Sequence, residues 1–143
     1  VFVSELEEYC RDTYKLNFPN TRPDDIHGDI YKVTDEQLPA SLDILVGGFP
    51  CQPFSALGDQ PGLDCAKGRG SLFMQIVRCL KRCQPKAFLC ENVPGLLTMK
   101  ETYDTICDAF EECGYSVTTE VCSARGVTAT GRKRLFFVGI RND

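Results

Sequence analysis

Apolar positions in this chain switch between a helical and an alternating period, and the switches mark out its elements. Val1-Phe2-Val3 reads as a strand already under way. Ser4 with Glu7 three residues later has the form of a capping box, and Leu6, Tyr9, Cys10, Thr13 and Leu16 then share one helical face that ends near Asn17. After a polar, proline-containing stretch, His27-Gly28-Asp29-Ile30-Tyr31 is a short strand candidate ending in Asp29. Asp43-Ile44-Leu45-Val46 is short, branched and bounded by Gly47-Gly48, which predicts a buried strand whose backbone leaves the sheet without a Cβ clash. Pro50 and Pro53 stiffen that exit, because each fixes its own φ and pushes its predecessor toward extended backbone.

The stretch from Gln52 to Arg69 has no periodicity and is rich in glycine, so a long loop is expected there. Ser71 then caps a helix whose stripe is Leu72, Phe73, Ile76, Val77, Leu80 and Cys83, ended by Pro85. A strand over 87–90 delivers Glu91 at its exit, and Pro94-Gly95 turns the chain. A second helix takes Tyr103, Ile106, Cys107 and Phe110 inward and stops at Gly114. Strands over 115–121 and 135–140 follow. The order favours an α/β sheet of parallel strands flanked by helices, in which ligands collect beyond the carboxyl ends of the strands. Glu5, Asp29, Cys51 and Glu91 each follow a predicted strand at that end.

With 143 residues, 43% hydrophobic and 25% charged, the chain has the size and composition of one soluble domain. No apolar run is long enough to span a bilayer and no signal-peptide pattern opens the chain, so no membrane partner is expected. The expected location is intracellular: the nucleus in a eukaryote, the cytoplasm in a bacterium. The nine cysteines are odd in number and irregularly spaced within apolar patterns, which predicts reduced, mostly buried thiols. There is no Cys-x-x-Cys pair and the sole histidine, His27, is distant in sequence, so no metal is expected. A net charge of −4 is unfavourable for binding nucleic acid, whose affinity rests largely on Lys and Arg.

Gly48-Phe49-Pro50-Cys51-Gln52-Pro53-Phe54-Ser55 is similar to the nucleophile motif of the cytosine carbon-5 methyltransferases, which act chiefly on DNA. Glu91-Asn92-Val93 resembles that family's second catalytic motif, and Arg69-Gly70-Ser71-Leu72-Phe73 its helix-opening signature. The resemblance covers about residues 1–141. It implies a Rossmann-like S-adenosylmethionine-dependent methyltransferase sheet, mostly parallel with an antiparallel C-terminal strand and incomplete, with 1–143 part of one catalytic domain. The implied reaction is methylation of carbon 5 of cytosine in DNA. An RNA (tRNA) cytosine methyltransferase uses the same motifs, and a catalytically inactive remnant serving as a binding fragment is the reading from a different class.

The chemistry explains the residue types. Carbon 5 of cytosine is a weak nucleophile until a thiolate adds to carbon 6, and Cys51 would supply that thiolate. Glu91 would bond or protonate ring nitrogen 3, steadied by Asn92. Arg132 and Arg134 resemble the family's arginine motif and, as alternate residues, point to one side of a strand, toward the cytosine carbonyl, Glu91 or phosphates. Here the chain departs from the family: Gly126-Val127-Thr128-Ala129-Thr130-Gly131 lacks the usual Pro-Gln and has one extra residue.

For the methyl donor, the resemblance carries Glu5 to the ribose and Asp29 with Ile30 to the adenine. Pro50 and Leu72 go to the pocket wall, and Leu6 stands where many members have a larger ring. The Phe49 carbonyl is matched to the base's exocyclic amine, Gln52 and Ser55 to the loop and adjacent phosphate, and Asn92 to the substrate side. The long loop is expected to close over an extruded base. The family's Gly-rich donor segment would precede Val1 and its target-recognition region would follow Asp143, so the chain is expected to be an excerpt of a longer enzyme that alone binds the donor poorly. The oligomeric state is not readable from the sequence.

Overall fold

A computed structural model describes residues 1–50 and 72–143. The element order is β1 (Val3–Ser4), α1 (Glu8–Asn17), β2 (Ile26–His27), β3 (Ile44–Gly48), α2 (Leu72–Cys83), β4 (Ala87–Asn92), α3 (Lys100–Glu112), β5 (Tyr115–Ser123) and β6 (Lys133–Arg141). These helices and strands come in the order that the hydrophobic pattern predicts. The chain divides into two compact units, Val1–Ala40 and Ser41–Asp143.

The first unit is small. β1 and β2 pair in parallel, Val3 with Ile26 and Ser4 with His27. That pairing overturns the predicted capping box. Ser4 lies in β1 and its hydroxyl donates to the Gly28 carbonyl at 2.7 Å, so it is spent on a partner 24 residues away. Helix α1 begins at Glu8, with Glu7 as N-cap making no side-chain bond there, and the Glu7 amide donates to Glu5 Oε1 at 2.9 Å. Of the predicted apolar face of α1, Leu6 falls before the helix, Tyr9, Thr13 and Leu16 are exposed and Cys10 is half-buried, so no residue of the helix is buried. The second strand is also shorter than expected. It ends at His27, and Asp29 stands beyond it, where its carboxylate accepts from the Tyr31 amide at 3.0 Å and opens a 3-10 turn over Ile30–Lys32.

The second unit carries the core. Its four strands lie in the order β3-β4-β6-β5, with β3 parallel to β4 and β6 antiparallel to both its neighbours. On β4 the alternation of a strand turns Phe88, Cys90 and Asn92 inward and Leu89 and Glu91 to the other face. Against the inward face pack Phe73, Ile76, Val77 and Leu80 of α2 and Ile106 and Phe110 of α3. The Phe110 ring lies 4.5 Å from Phe88 and 5.2 Å from Phe73, centroid to centroid, which places it at the centre of the aromatic cluster. Gly139 of β6 faces this cluster, and a Cβ there would stand 2.0 Å from the Phe88 ring.

Helix α3 ends as predicted: Gly114 has φ of +90° and its amide donates to the Glu111 carbonyl at 2.8 Å. Helix α2 covers the predicted stripe, while its predicted cap Ser71 and the long loop lie outside the described residues. Among the described residues, no helix is long and apolar enough to cross a membrane.

Candidate active site

The carboxyl end of β4 is where the candidate chemistry gathers in the second unit. Glu91 is the penultimate residue of that strand, opposite Gly48 on β3 and Phe136 on β6. Because β6 runs antiparallel, Arg134 projects from the same face as Phe136, two positions nearer the rim. It forms an ion pair with Glu91 Oε1, and Arg132 Nη2 stands 4.0 Å from the same oxygen. The other carboxylate oxygen lies over Gly48, 3.4 Å from where a Cβ would be. Gly48 thus keeps that side of the acid clear. The Glu91 side chain is 39% exposed, so the pair contributes only about 0–1 kcal/mol to stability. Its value is positional: two cations and an empty glycine face hold one acid in place.

Asn92 is not the partner of Glu91 that the sequence suggests, because consecutive strand residues point to opposite faces. Among the described residues it is the one polar residue counted as buried, at 3% exposed. Its Nδ2 donates to the Phe49 carbonyl at 3.0 Å and its Oδ1 accepts from the Val93 amide at 2.8 Å. The side-chain amide therefore takes over where the β3–β4 ladder stops at Gly48 and Glu91. A buried amide satisfied on both sides is a fixed spacer. It takes up one lone pair of the Phe49 oxygen, a carbonyl that has two. Phe49 is buried against Phe73 and Phe137, Pro50 is exposed, and Leu72 packs on the core at the start of α2. Cys51, Gln52 and Ser55 lie outside the described residues.

In the first unit Glu5 follows β1 directly, and its amide donates to the His27 carbonyl at 3.1 Å. Arg11, which the sequence reading passed over, donates from Nη1 to the carbonyls of Glu5 (2.7 Å) and Leu6 (2.6 Å). Helical side chains lean toward the helix N-terminus, so an arginine one turn into α1 is placed to reach back to the residues before it. That lean was the available signal. A concavity of about 350 Å³ opens beside Arg11 and is lined also by Leu6, His27, Asp29, Lys32 and Val33. Leu6 and Asp29 thus come together there, whereas Glu5 and Ile30 do not line it among the described residues. The volume falls within the range of small-molecule sites.

The fold is shared with solved methyltransferases. The crystal structure of S. pombe Dnmt2 methyltransferase superposes over 100% of this chain and 43% of that one with a TM-score of 0.72 at 21% identity. A Spodoptera frugiperda DNMT2 mutant gives 0.71 at 22% identity, covering 100% of this chain and 43% of its own. The sequence is more specific: the family described as C-5 cytosine-specific DNA methylase matches residues 1–143, and the chain belongs to that family. Among its relatives, the type II methyltransferase M1.ScrFI of Lactococcus lactis subsp. cremoris is 44% identical over 97% of this chain and 35% of its own length. The type II methyltransferase M.NgoPII of Neisseria gonorrhoeae is 41% identical over 99% of this chain and 41% of its own. The chain thus spans about 35–41% of the length of these two relatives.

Proposed function

We propose that the chain is part of the catalytic domain of an enzyme that moves a methyl group from S-adenosylmethionine to carbon 5 of cytosine in DNA through a covalent Cys51 adduct. The observation that carries this reading is the convergence of Arg132 and Arg134 on Glu91 at the end of β4, in a chain of the cytosine-specific family. The Cys51 thiolate adds to carbon 6 of an extruded base, forming the carbon–sulfur bond and making carbon 5 an enamine carbon. Glu91 bonds or protonates nitrogen 3 and so takes up the charge that the attack pushes into the ring. The Phe49 carbonyl, held in place by Asn92, accepts from the exocyclic amine. Once carbon 5 has received the methyl group, with the donor's sulfur departing as a neutral thioether, removal of the carbon-5 proton lets the carbon–sulfur bond to Cys51 break and returns the thiolate.

S-adenosylmethionine supplies, when bound, a methyl group on a positively charged sulfur. The concavity of the first unit fits the adenosine end of such a molecule: Leu6 offers an apolar wall, Asp29 a carboxylate at the rim. Glu5 has one carboxylate oxygen tied to the Glu7 amide and acceptor capacity left on the other for a ribose hydroxyl. Ile30, at the head of the 3-10 turn, is assigned to the adenine side.

The test uses the full-length protein with donor and an oligonucleotide carrying 5-fluorocytosine, whose fluorine cannot leave as a proton does. A denaturant-resistant adduct is expected with the parent protein and none with Cys51→Ala. Absence of an adduct in the parent would refute the reading, and an adduct on tRNA but not on DNA would move the substrate to RNA. Glu91→Gln is expected to lower turnover about 100-fold or more with the melting temperature unchanged.

A further inference from the structure

The chain leaves β1 through a bend where strand bonding has stopped and helix bonding has not begun. The Glu5 amide is the last to join the ladder, donating to the His27 carbonyl at 3.1 Å, and the bond that opens α1 runs from the Arg11 amide to the Glu7 carbonyl at 3.1 Å. Between them stand the carbonyls of Glu5 and Leu6, which no backbone amide among the described residues reaches. One nitrogen, Arg11 Nη1, donates to both, at 2.7 and 2.6 Å. A carbonyl without a partner can turn with its peptide plane, whereas two carbonyls gripped by one planar, charged fork are held together. Those two planes set the directions in which the Glu5 and Leu6 side chains leave the backbone.

Glu5 is thereby tied at three points: its amide to His27, its carbonyl to Arg11, and its Oε1 by the Glu7 amide at 2.9 Å. The same guanidinium also meets the exit of β2. A Cβ at Gly28 would stand 3.8 Å from Arg11 Nη1, and the Gly28 carbonyl is itself held by the Ser4 hydroxyl at 2.7 Å. Arg11 therefore lies across both strand exits and lines the concavity, with Leu6 on one side and Gly28 and Asp29 on the other. Lys15, one turn further along α1, is different: it is exposed and pairs with Asp12 at 3.0 Å on the helix surface.

We infer that Arg11 is a positioning residue for the methyl donor: by fixing the Glu5 and Leu6 peptide planes it aims the Glu5 carboxylate at the ribose and the Leu6 side chain into the adenosine concavity. The inference rests on the donor reading given above and adds to it the group that orders those two residues. Arg11 acts through Glu5 and Leu6, which hold the adenosine end alike before and during transfer. Its loss therefore weakens donor binding and raises the donor KM, while kcat is preserved. A lysine keeps the charge at this position without the planar fork, so it replaces the arginine only in part.

The experiment titrates the full-length protein with S-adenosylhomocysteine, which keeps the donor's adenosine and lacks the methyl group, in a calorimeter. Arg11→Met is expected to weaken binding about 10-fold, the loss that follows when two hydrogen bonds to a binding segment are removed, and Arg11→Lys by a smaller factor. Lys15→Met is the control and leaves the affinity unchanged. The decisive readout is coupling with Glu5→Gln: in that background Arg11→Met should cost only about 2–3-fold, because the group it aims has already been weakened. In steady-state methylation, the donor KM of Arg11→Met should rise by the same factor as the binding loss, with kcat and the KM for DNA unchanged. An unaltered affinity in Arg11→Met, the same loss with and without Glu5→Gln, or a fall in kcat at constant donor KM would each overturn the inference. Failure of the parent protein to bind S-adenosylhomocysteine refutes the donor reading and the inference together. Binding by the parent with a 5-fluorocytosine adduct, but no loss in Arg11→Met, refutes the inference alone.

Discussion

The two compact units hold their candidate residues by different means. In Val1–Ala40, the buried apolar residues are Val33 and Leu38, and the rest is fastened by hydrogen bonds: Ser4 to Gly28, Arg11 to Glu5 and Leu6, Asp29 to Tyr31. In Ser41–Asp143, Glu91 and Asn92 are fixed by strand register over a cluster in which Phe88, Phe110, Tyr115 and Phe137 are almost fully buried. Bonds at the surface each contribute about 1 kcal/mol, whereas each buried ring contributes several times that. The lesson is a division of tolerance. The acid of the second unit keeps its place through changes that would loosen the concavity of the first.

The sharpest attack on that contrast is Phe110→Ala, which removes the ring shared by Phe73, Phe88 and Phe137. It is expected to cost about 3–5 kcal/mol in denaturant unfolding, while Leu16→Ala, at a position 83% exposed, changes stability by about 0.5 kcal/mol or less. Equal losses would erase the distinction. Gly139→Ala should follow at about 1–3 kcal/mol, because the Phe88 ring must move out of the new methyl's way.

Alkali should act on the second unit next. Burial pushes the Cys90 thiol up to about 12, and burial also raises Cys107 and Cys113. The folded form therefore holds protons that the unfolded chain gives up near the ordinary thiol range. The thiol contribution to stability is constant below pH ~8.5, falls as pH rises above it, and is gone by the folded value. Denaturant titrations from pH 7 to 11 test the slope, and Cys90→Ala, compared with Cys122→Ala at the exposed position, should flatten it.

In the first unit, Asp29→Ala loses the cap of the 3-10 turn and should cost ~1 kcal/mol, seen as faster exchange of the Tyr31 amide. The smallest effect belongs to the Lys86–Asp43 surface pair. The Lys86 ammonium, first by its hydrogen bond, holds the Asp43 carboxyl below its usual range, so the pair contributes above that range and is lost as pH falls through it. Asp43→Asn should flatten the acid limb only slightly.

Much of this was legible in the sequence, where local chemistry decides. Period-2 and period-3.6 runs placed all nine elements in order, Gly114 ended α3, and alternation put Arg132 and Arg134 on one side. What escaped was non-local. Ser4 and Glu7 satisfy the rule for a capping box, but the parallel partner His27, 23 positions away, claims Ser4 for a strand. Arg11 looks like one more polar helix residue until the carbonyls it reaches are known. The inward turn of Asn92 follows from the same alternation that fixes Glu91, yet a polar residue beside an acid invites pairing with it.

That inward amide also polices assembly. If β4 shifted by one position against its neighbours, every side chain would change faces, and a carboxylate would be driven among phenylalanine rings while the amide was cast out to water. An uncompensated buried charge is penalised by several kcal/mol, so the misaligned sheet is not a competitor. Any molecule of this protein that has packed its rings has, by the same event, presented its acid to the open face.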